Sequence, residues 1–301
     1  MNNAEAAASS LQLNNKQEMR RPTGLWRDVF YRLRRHRIGM IGVFIVGALI
    51  LLGLLGPYLA PYDPNVMDFN MRFAPPSLAH PLGGDDFGRD ILSRIMVGAR
   101  VSLQVGMIAV GIAGVAGTLL GLVAGYSNRV LDEIIMRSMD VLFAFPAILL
   151  AIAILAALGK GIANAMIAIG VVYTPIFARI ARGAVLTVRR QEFVEAARSI
   201  GSGRLRILFR HIFPNSLAPL IVEASLSLAF AILAEAALSF FGLGTQPPDP
   251  SWGRMLSEGR AYFRQSLWMG IFPGLAIMFT VMGFNFLGDG LRDVLDPRMK
   301  R

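Results

Sequence analysis

Long runs of apolar residues, separated by polar and charge-rich stretches, dominate this chain. The runs cover about residues 38–59, 101–126, 134–158, 162–180, 216–243 and 269–287. Most of them approach or exceed the roughly 20 residues that an α-helix needs to cross the bilayer core. The pattern therefore predicts an all-α integral membrane protein with six transmembrane helices.

The composition supports the same conclusion. Apolar residues make up 54% of the 301 residues and charged residues 17%, and the mean hydropathy is +0.52. These values differ from those of soluble proteins in the direction of a chain that is buried mostly in lipid. We expect one helical membrane domain.

Positive charge is concentrated in the segments between the apolar runs. With six spans, residues 1–37, 127–140, 179–214 and 288–301 lie on one side and hold 22 of the 30 Lys and Arg residues. Basic loops remain in the cytoplasm, so both termini are predicted there, with residues 60–100 and 244–268 outside. Although the net charge is +10, this distribution favours membrane topology and lipid contact, with no nucleic-acid partner.

Three regions follow from this layout. Residues 1–37 form a basic cytoplasmic segment, and residues 38–99 hold the first transmembrane helix and a proline-rich external loop. The first apolar run is too long for a cleaved signal peptide and is interpreted as a retained signal anchor. Residues 100–301 form a five-helix core that contains a long cytoplasmic loop at 188–214.

Three glycines lie at four-residue intervals in the second run. Gly117, Gly121 and Gly125 share one face of the predicted helix. Small residues at this spacing allow another helix to approach closely. We interpret them as a packing surface inside the helix bundle.

The loop at 188–214 contains two apolar stripes at helical spacing. The first precedes Gly201 and the second follows Gly203 and ends at Pro214, which predicts two short amphipathic helices joined at a glycine hinge. The stripes consist of Phe193, Ala197 and Ile200, and of Leu205, Leu208, Phe209 and Ile212. An alternative is a basic helix that lies on anionic lipid through Arg206 and Arg210.

The same loop carries a family resemblance. Glu195-Ala196-Ala197, then Gly201, and the distal Ile212 and Pro214 resemble the EAA signature of bacterial ABC importer permeases, whose loop docks on the ATPase subunit. The usual Ile-x-Leu-Pro ending is replaced by Ile212-Phe213-Pro214. The resemblance implies ATPase-coupling roles for Glu195, Ala196, Ala197, Gly201, Leu205, Leu208, Phe209, Ile212 and Pro214.

Other stretches resemble the oligopeptide and dipeptide permease branch. They are His80 to Asp90 with Ser93 and Arg94, Gln246 to Pro248, Ser251 to Gly253, and Gly288 to Pro297, and Gly84 stands where the branch usually has Thr. The resemblance implies the MetI-like fold of type I ABC importer permeases. It implies a bacterial inner-membrane subunit that carries dipeptides or oligopeptides, with glutathione or nickel as alternative solutes.

The resemblance also implies the partners. These are a second homologous permease subunit, two ABC ATPase subunits, and a periplasmic or lipid-anchored solute-binding protein. The solute path would lie between the two permeases, and ATP binding would shift the cytoplasmic loop and tilt the spans between two states.

Carboxylates occur both outside and inside the predicted spans. Asp85, Asp86 and Asp90 lack the ligand spacing of a calcium loop, so we expect an external cap of ion pairs with Arg89 and Arg94. Within the spans, Glu223, Glu235 and Asp140 are costly against lipid and must face a water-filled path or a polar partner. A proton-coupled transporter that uses Glu223 and Glu235 is the alternative mechanism.

Several catalytic motifs are absent from the sequence. No G-x-x-x-x-G-K-[ST] occurs, so ATP and its magnesium are expected on the partner ATPases and no cofactor on this chain. His36, His80 and His211 form no H-E-x-x-H, and the chain has no cysteine. We therefore predict a non-catalytic permease subunit with no metal site, not a membrane enzyme.

Overall fold

The computed structural model describes residues 31–295. Most of the basic segment 1–37 and the last six residues, including both termini, lie outside this range. Within it the chain is mostly helical, and its longest connection, residues 60–90, contains one short 3-10 turn at Phe69–Met71. The helices are α1 (Arg37–Leu59), α2 (Ile91–Tyr126), α3 (Arg129–Phe143), α4 (Ala147–Leu158), α5 (Ile162–Val188), α6 (Glu192–Ser199), α7 (Arg204–Ile207), α8 (Leu217–Phe240), α9 (Trp252–Ala261) and α10 (Trp268–Leu295).

Five helices among the described residues, α1, α2, α5, α8 and α10, are long and apolar enough to cross a membrane. The third predicted run, 134–158, is not one continuous helix. It is divided into α3 and α4, which meet at an angle of 94° and together make a sixth span only as a bent pair. Pro146 precedes α4, and its fixed φ and missing N–H prevent α3 from continuing straight through this point.

The second helix begins ten residues earlier than the apolar run indicates. Asp90 caps it by accepting a hydrogen bond from the Ser93 N–H at 2.8 Å. Its first turn also carries Arg94, which is buried among carboxylates. Ion pairing therefore allows α2 to extend into a region that hydropathy alone assigns to the external loop.

The predicted glycine face packs α2 against α5. A Cβ on Gly117 would lie 2.5 Å from the Thr174 carbonyl oxygen, and a Cβ on Gly121 would collide with the carbonyl of Ala178. Gly125 likewise faces Val185. The backbones of the two helices thus approach each other over three turns, as the spacing predicted.

The remaining helices surround this central pair. Buried side chains of α2, α4, α5 and α8 form the largest apolar cluster, which includes Ala109, Leu155, Phe177 and Leu238. At the other end of the bundle Trp252 of α9 is fully buried and donates from its indole nitrogen to the Ile95 carbonyl at 3.0 Å. This bundle holds residues 188–214 at one end and a charged cap at the other.

Candidate coupling segment and solute groove

Residues 188–214, here called the coupling segment, connect α5 to α8. Helix α6 ends at Ser199, and Gly201 follows its C-cap with a φ of +77°. The Gly201 N–H donates to the Arg198 carbonyl at 3.0 Å and the Ser202 N–H to the Ala197 carbonyl at 3.1 Å. This double hydrogen bond ends helices in a left-handed residue that is usually glycine. Gly201 is therefore the turning point between the two short helices.

One face of the coupling segment packs against the bundle. Its buried side chains form a cluster with Leu122, Val185 and Val188 from α2 and α5. They are Val194, Ala197, Ile207, Leu208 and Ile212. Leu208, for which the sequence predicts an ATPase-coupling role, is only 7% exposed and packs within this chain. Ala197 and Ile212 also pack within the chain.

The opposite face is exposed and partly apolar. Ile200 is 83% exposed, Leu205 72% and Phe209 54%. Glu195 and Ala196 are exposed on the same short helices. Large apolar side chains that cluster on an exposed surface are typical of a surface that another protein covers.

Pro214 does not end the second helix. The Phe213 N–H donates to the Leu208 carbonyl, five residues earlier, so Leu208–Ile212 forms one wide π-helical turn. Pro214 lies in the next helical turn, Phe213–Asn215, and the chain continues into α8. In a regular helix the proline ring would clash with the carbonyl of the residue four positions earlier. The wide turn at Leu208–Ile212 avoids this clash.

Arginines surround the base of the coupling segment. They line an open cavity of about 1020 Å³ between this segment and the α2–α3 connection, together with Glu195. Arg189 donates to the Gly125 carbonyl at 2.8 Å and ties the segment to the end of α2. The other cavity arginines are Arg190, Arg198 and Arg204.

Glu235 does not line an open path. Its side chain is fully buried, and one carboxylate oxygen accepts from Ser239 at 2.7 Å and from Thr245 at 3.4 Å. The other oxygen, and the nearby buried hydroxyl of Ser102, have no partner among the described residues. The alternative of a polar partner, and not the path, accounts for Glu235 in this structure.

Glu223 occupies a different environment on the same helix. It is partly exposed and accepts a hydrogen bond from Ser227 at 2.9 Å. Its role on a solute path remains a prediction.

Two neighbouring grooves lie between the α3–α4 pair and the helices beside it. An apolar groove of about 310 Å³ is lined by α4, α5 and α8, including Ala147, Val172 and Tyr173. A charged groove of about 730 Å³ lies between α3 and α5. Asp140 lines the charged groove and pairs with Arg179 at 2.8 Å.

Asp85 and Asp86 form the expected ion pairs. Arg89 contacts Asp85 at 2.5 Å and Asp86 at 3.5 Å. Glu258 of α9, 169 residues from Arg89, accepts from it at 3.2 Å and from Arg254 at 2.8 Å. Arg94 approaches the same cluster from α2.

Sequence reasoning missed Glu258, and no local spacing could have found a partner this distant. Carboxylate oxygens of Asp85, Asp86 and Glu258 lie within 4.8 Å of one another. The arginines around them balance their charge. Burial, followed by the neighbouring carboxylates of Asp85 and Glu258, raises the pKa of Asp86.

A bundle of membrane-spanning helices with an exposed apolar face on the coupling segment defines an integral membrane protein with a surface for a partner. Comparison with known proteins gives the particular class. Residues 117–301 match the family described as binding-protein-dependent transport system inner membrane component, and residues 24–76 match the N-terminal transmembrane domain of oligopeptide transport permease C. The chain belongs to this permease family and is a permease subunit of an ABC importer.

Curated relatives cover nearly the whole chain. It is 49% identical over 275 residues to the dipeptide transport system permease protein DppC of Alkalihalophilus pseudofirmus, covering 91% of this chain and 90% of that protein. It is 46% identical over 297 residues to the glutathione transport system permease protein GsiD of Escherichia coli, covering 98% and 97%.

A solved structure shows the same fold at low sequence identity. It is an inward-facing conformation of the MetNI methionine ABC transporter, with a TM-score of 0.57 and 18% identity, covering 67% of this chain and 96% of that chain. The MetI-like fold predicted from the sequence is therefore confirmed.

Proposed function

We propose that this chain forms half of the translocation path of an importer for dipeptides or short oligopeptides, and that its coupling segment transmits the ATPase stroke. The partners are a second homologous permease, two ABC ATPases and an external solute-binding protein. The chain lies in the bacterial inner membrane, with both termini in the cytoplasm. ATP and magnesium bind to the ATPases, and this chain carries neither a cofactor nor a catalytic residue.

The observation that carries the coupling role is the division of the segment into two faces. The inner face packs on α2 and α5, and the outer face presents Ile200, Leu205 and Phe209. A groove on a partner that accepts these side chains would pull directly on the two central helices. Helix-in-groove contacts of this kind depend on a few apolar anchors.

The peptide assignment rests on the relatives and on the groove chemistry. Relatives named for dipeptides and for glutathione are both similar to this chain along most of its length. Dipeptides and glutathione, itself a tripeptide, share charged termini and a peptide backbone. The apolar and charged grooves beside α4 and α3 would suit solutes that have both kinds of surface.

Reconstitution of the complete importer tests the proposal. The chain is co-expressed with the second permease, the ATPases and the binding protein encoded beside it, and the complex is placed in proteoliposomes. Uptake of labelled dipeptide, tripeptide, glutathione and Ni²⁺ is then measured with and without ATP. ATP-dependent uptake of a peptide supports the proposal, whereas uptake driven by a proton gradient without ATP would refute it.

The orientation has its own test. A reporter fused at residue 205 is expected in the cytoplasm because the basic loops are placed there. An external reporter at this position would contradict both the topology and the coupling role.

A further inference from the structure

We propose that the Asp140–Arg179 pair in the charged groove is a contact site for the two charged ends of a zwitterionic, peptide-like solute as it leaves the path. The inference rests on the proposed function and adds to it a site and a ligand chemistry. The argument uses the position of the groove, the character of its ion pairs, and the charges that a peptide carries.

The charged groove follows the apolar groove toward the cytoplasm. Val172 lines the apolar groove and Arg179 the charged one. They are seven residues apart on α5, so they share a helix face about 10.5 Å apart along its axis. Asp140 of α3 lines the charged groove, and Ala147, just after the bend, lines the apolar one. The two grooves therefore lie next to each other along α5.

The two ion pairs between α3 and α5 differ in character. Arg182 holds Asp132 through two hydrogen bonds of 2.6 and 2.7 Å, and the Asp132 side chain is 21% exposed. Asp140 and Arg179 share a single bond of 2.8 Å, with side chains 57% and 38% exposed. Bidentate, less exposed pairs are the stronger ones, whereas exposed single pairs contribute little to stability. The first pair fastens α3 to α5, and the second can exchange partners with a solute.

The chemistry of the exchangeable pair fits a free peptide. The Asp140 carboxylate can accept the terminal ammonium, and the Arg179 guanidinium can donate to the terminal carboxylate. Arg179 also lies 4.1 Å from the centre of the Phe143 ring, which restrains its position. A metal cation would be attracted by Asp140 but repelled by Arg179, and a blocked peptide offers neither charge. The site therefore selects solutes with both ends ionised.

The cysteine-free chain permits a direct test from the cytoplasmic side. Met136 lines the charged groove, and Ser138 is exposed on the same helix but does not line the groove. Met136→Cys and Ser138→Cys are each made in the complete importer, purified without binding protein, and their maleimide labelling rates are measured. Alanyl-alanine and N-acetyl-alanyl-alanine amide serve as the zwitterionic and uncharged probes.

Alanyl-alanine at about twice its dissociation constant is expected to slow labelling of Met136→Cys about threefold, since the free fraction falls in that proportion. The blocked analogue should have no effect, and neither probe should protect Ser138→Cys. Equal protection by both probes, or protection by neither, would overturn the inference.

Charge removal supplies the second measurement. Asp140→Asn or Arg179→Gln in the Met136→Cys background should abolish protection. Each should lower the uptake rate at sub-saturating peptide about threefold, the effect expected when one exposed charge pair with the solute is lost. Asp293→Asn is the matched control, because it breaks another exposed cytoplasmic pair, with His36 at 3.0 Å.

A purely structural role is separated by complex yield and thermal stability. If Asp140→Asn lowers the yield or the melting temperature of the complex in step with uptake, the pair is a staple and the inference fails. If the wild-type importer takes up no peptide, the proposed function fails. Wild-type peptide uptake that neither charge variant changes refutes this inference alone.

Discussion

Replacement of Gly201 by valine tests how the coupling segment transmits force. No atom lies within 4 Å of a Cβ added at Gly201, so the substitution creates no collision. Its φ of +77° is the only source of strain. A left-handed backbone costs about 1–2 kcal/mol for an ordinary L-residue, and about 2–3 kcal/mol is reasonable for a β-branched one.

That strain can be relieved only if the two short helices move relative to each other. The arrangement that binds the ATPase then becomes a smaller fraction of the population, and the apparent affinity falls by the same factor. A penalty of about 2 kcal/mol corresponds to a loss of up to about 30-fold. The membrane spans do not contact Gly201, so their insertion should be unchanged.

A matched pair of substitutions isolates the backbone effect. Gly203 lies two residues away, also has open space around a Cβ, and has a φ of −63° as the N-cap of α7. Serine is favoured at N-caps, so Gly203→Ser should be neutral or slightly stabilising. Gly201→Ser should show a partial version of the valine defect.

The assay is recovery of the ATPase subunits with the tagged permease, together with peptide uptake in proteoliposomes. Normal recovery and uptake in Gly201→Val would eliminate the coupling role. A lipid-surface helix would show that tolerance and would instead lose membrane contact when Arg206 and Arg210 are replaced. An equal defect in Gly203→Ser would show that any change in this loop is harmful, and the backbone argument would be wrong.

Three further predictions follow from the packing and the cap. Gly121→Val should abolish folded permease, because a Cβ at this position collides with the α5 backbone. Gly111→Val is the control and should fold, because the space around its Cβ is open. The yield of detergent-stable protein in size-exclusion chromatography distinguishes the two variants. Glu258→Ala should lower stability by about 3–5 kcal/mol, since buried cations lose their partner, and an unchanged thermal midpoint would contradict this. The pKa of Asp86 is raised above 3.8 on folding. The contribution of this carboxyl to folding stability therefore falls as pH rises above that value. Asp86→Asn should therefore flatten the pH dependence of the thermal midpoint in this window and raise the midpoint at neutral pH. An unchanged pH profile would show that the carboxyl is not coupled to folding.

Hydropathy and periodicity located the main features because each depends on nearby residues. The apolar runs follow from the thickness of the bilayer, and the hinge follows from two stripes on either side of Gly201. The α2–α5 contact was also local, since three glycines at four-residue spacing define one helix face. In each case the physical cause and the sequence signal occupy the same short segment.

Sequence patterns were less informative where the structure depends on residues far apart in the chain or on how a helix is oriented against its neighbours. The sequence does contain signals for the bend before α4. One is Pro146, and the others are the charged residues Asp132, Arg137 and Asp140, in a segment that was assigned partly to a span. Helical periodicity showed that Leu208 and Phe209 belong to an amphipathic helix. It could not show that Leu208 faces this chain and Phe209 faces outward, because that depends on where α2 and α5 lie.

The direct backbone contact between α2 and α5 has a mechanical consequence. Helix α2 has 36 residues, so it is about 54 Å long. Its first turn is clamped by the charged cap, and its last turns contact the coupling segment through Leu122. A rigid rod of that length, pivoting by about 10° at the clamp, displaces its far end by about 9 Å. The glycine contact and the clamp together make a lever, which converts a small rotation at the cap into a displacement larger than one helical turn at the coupling segment.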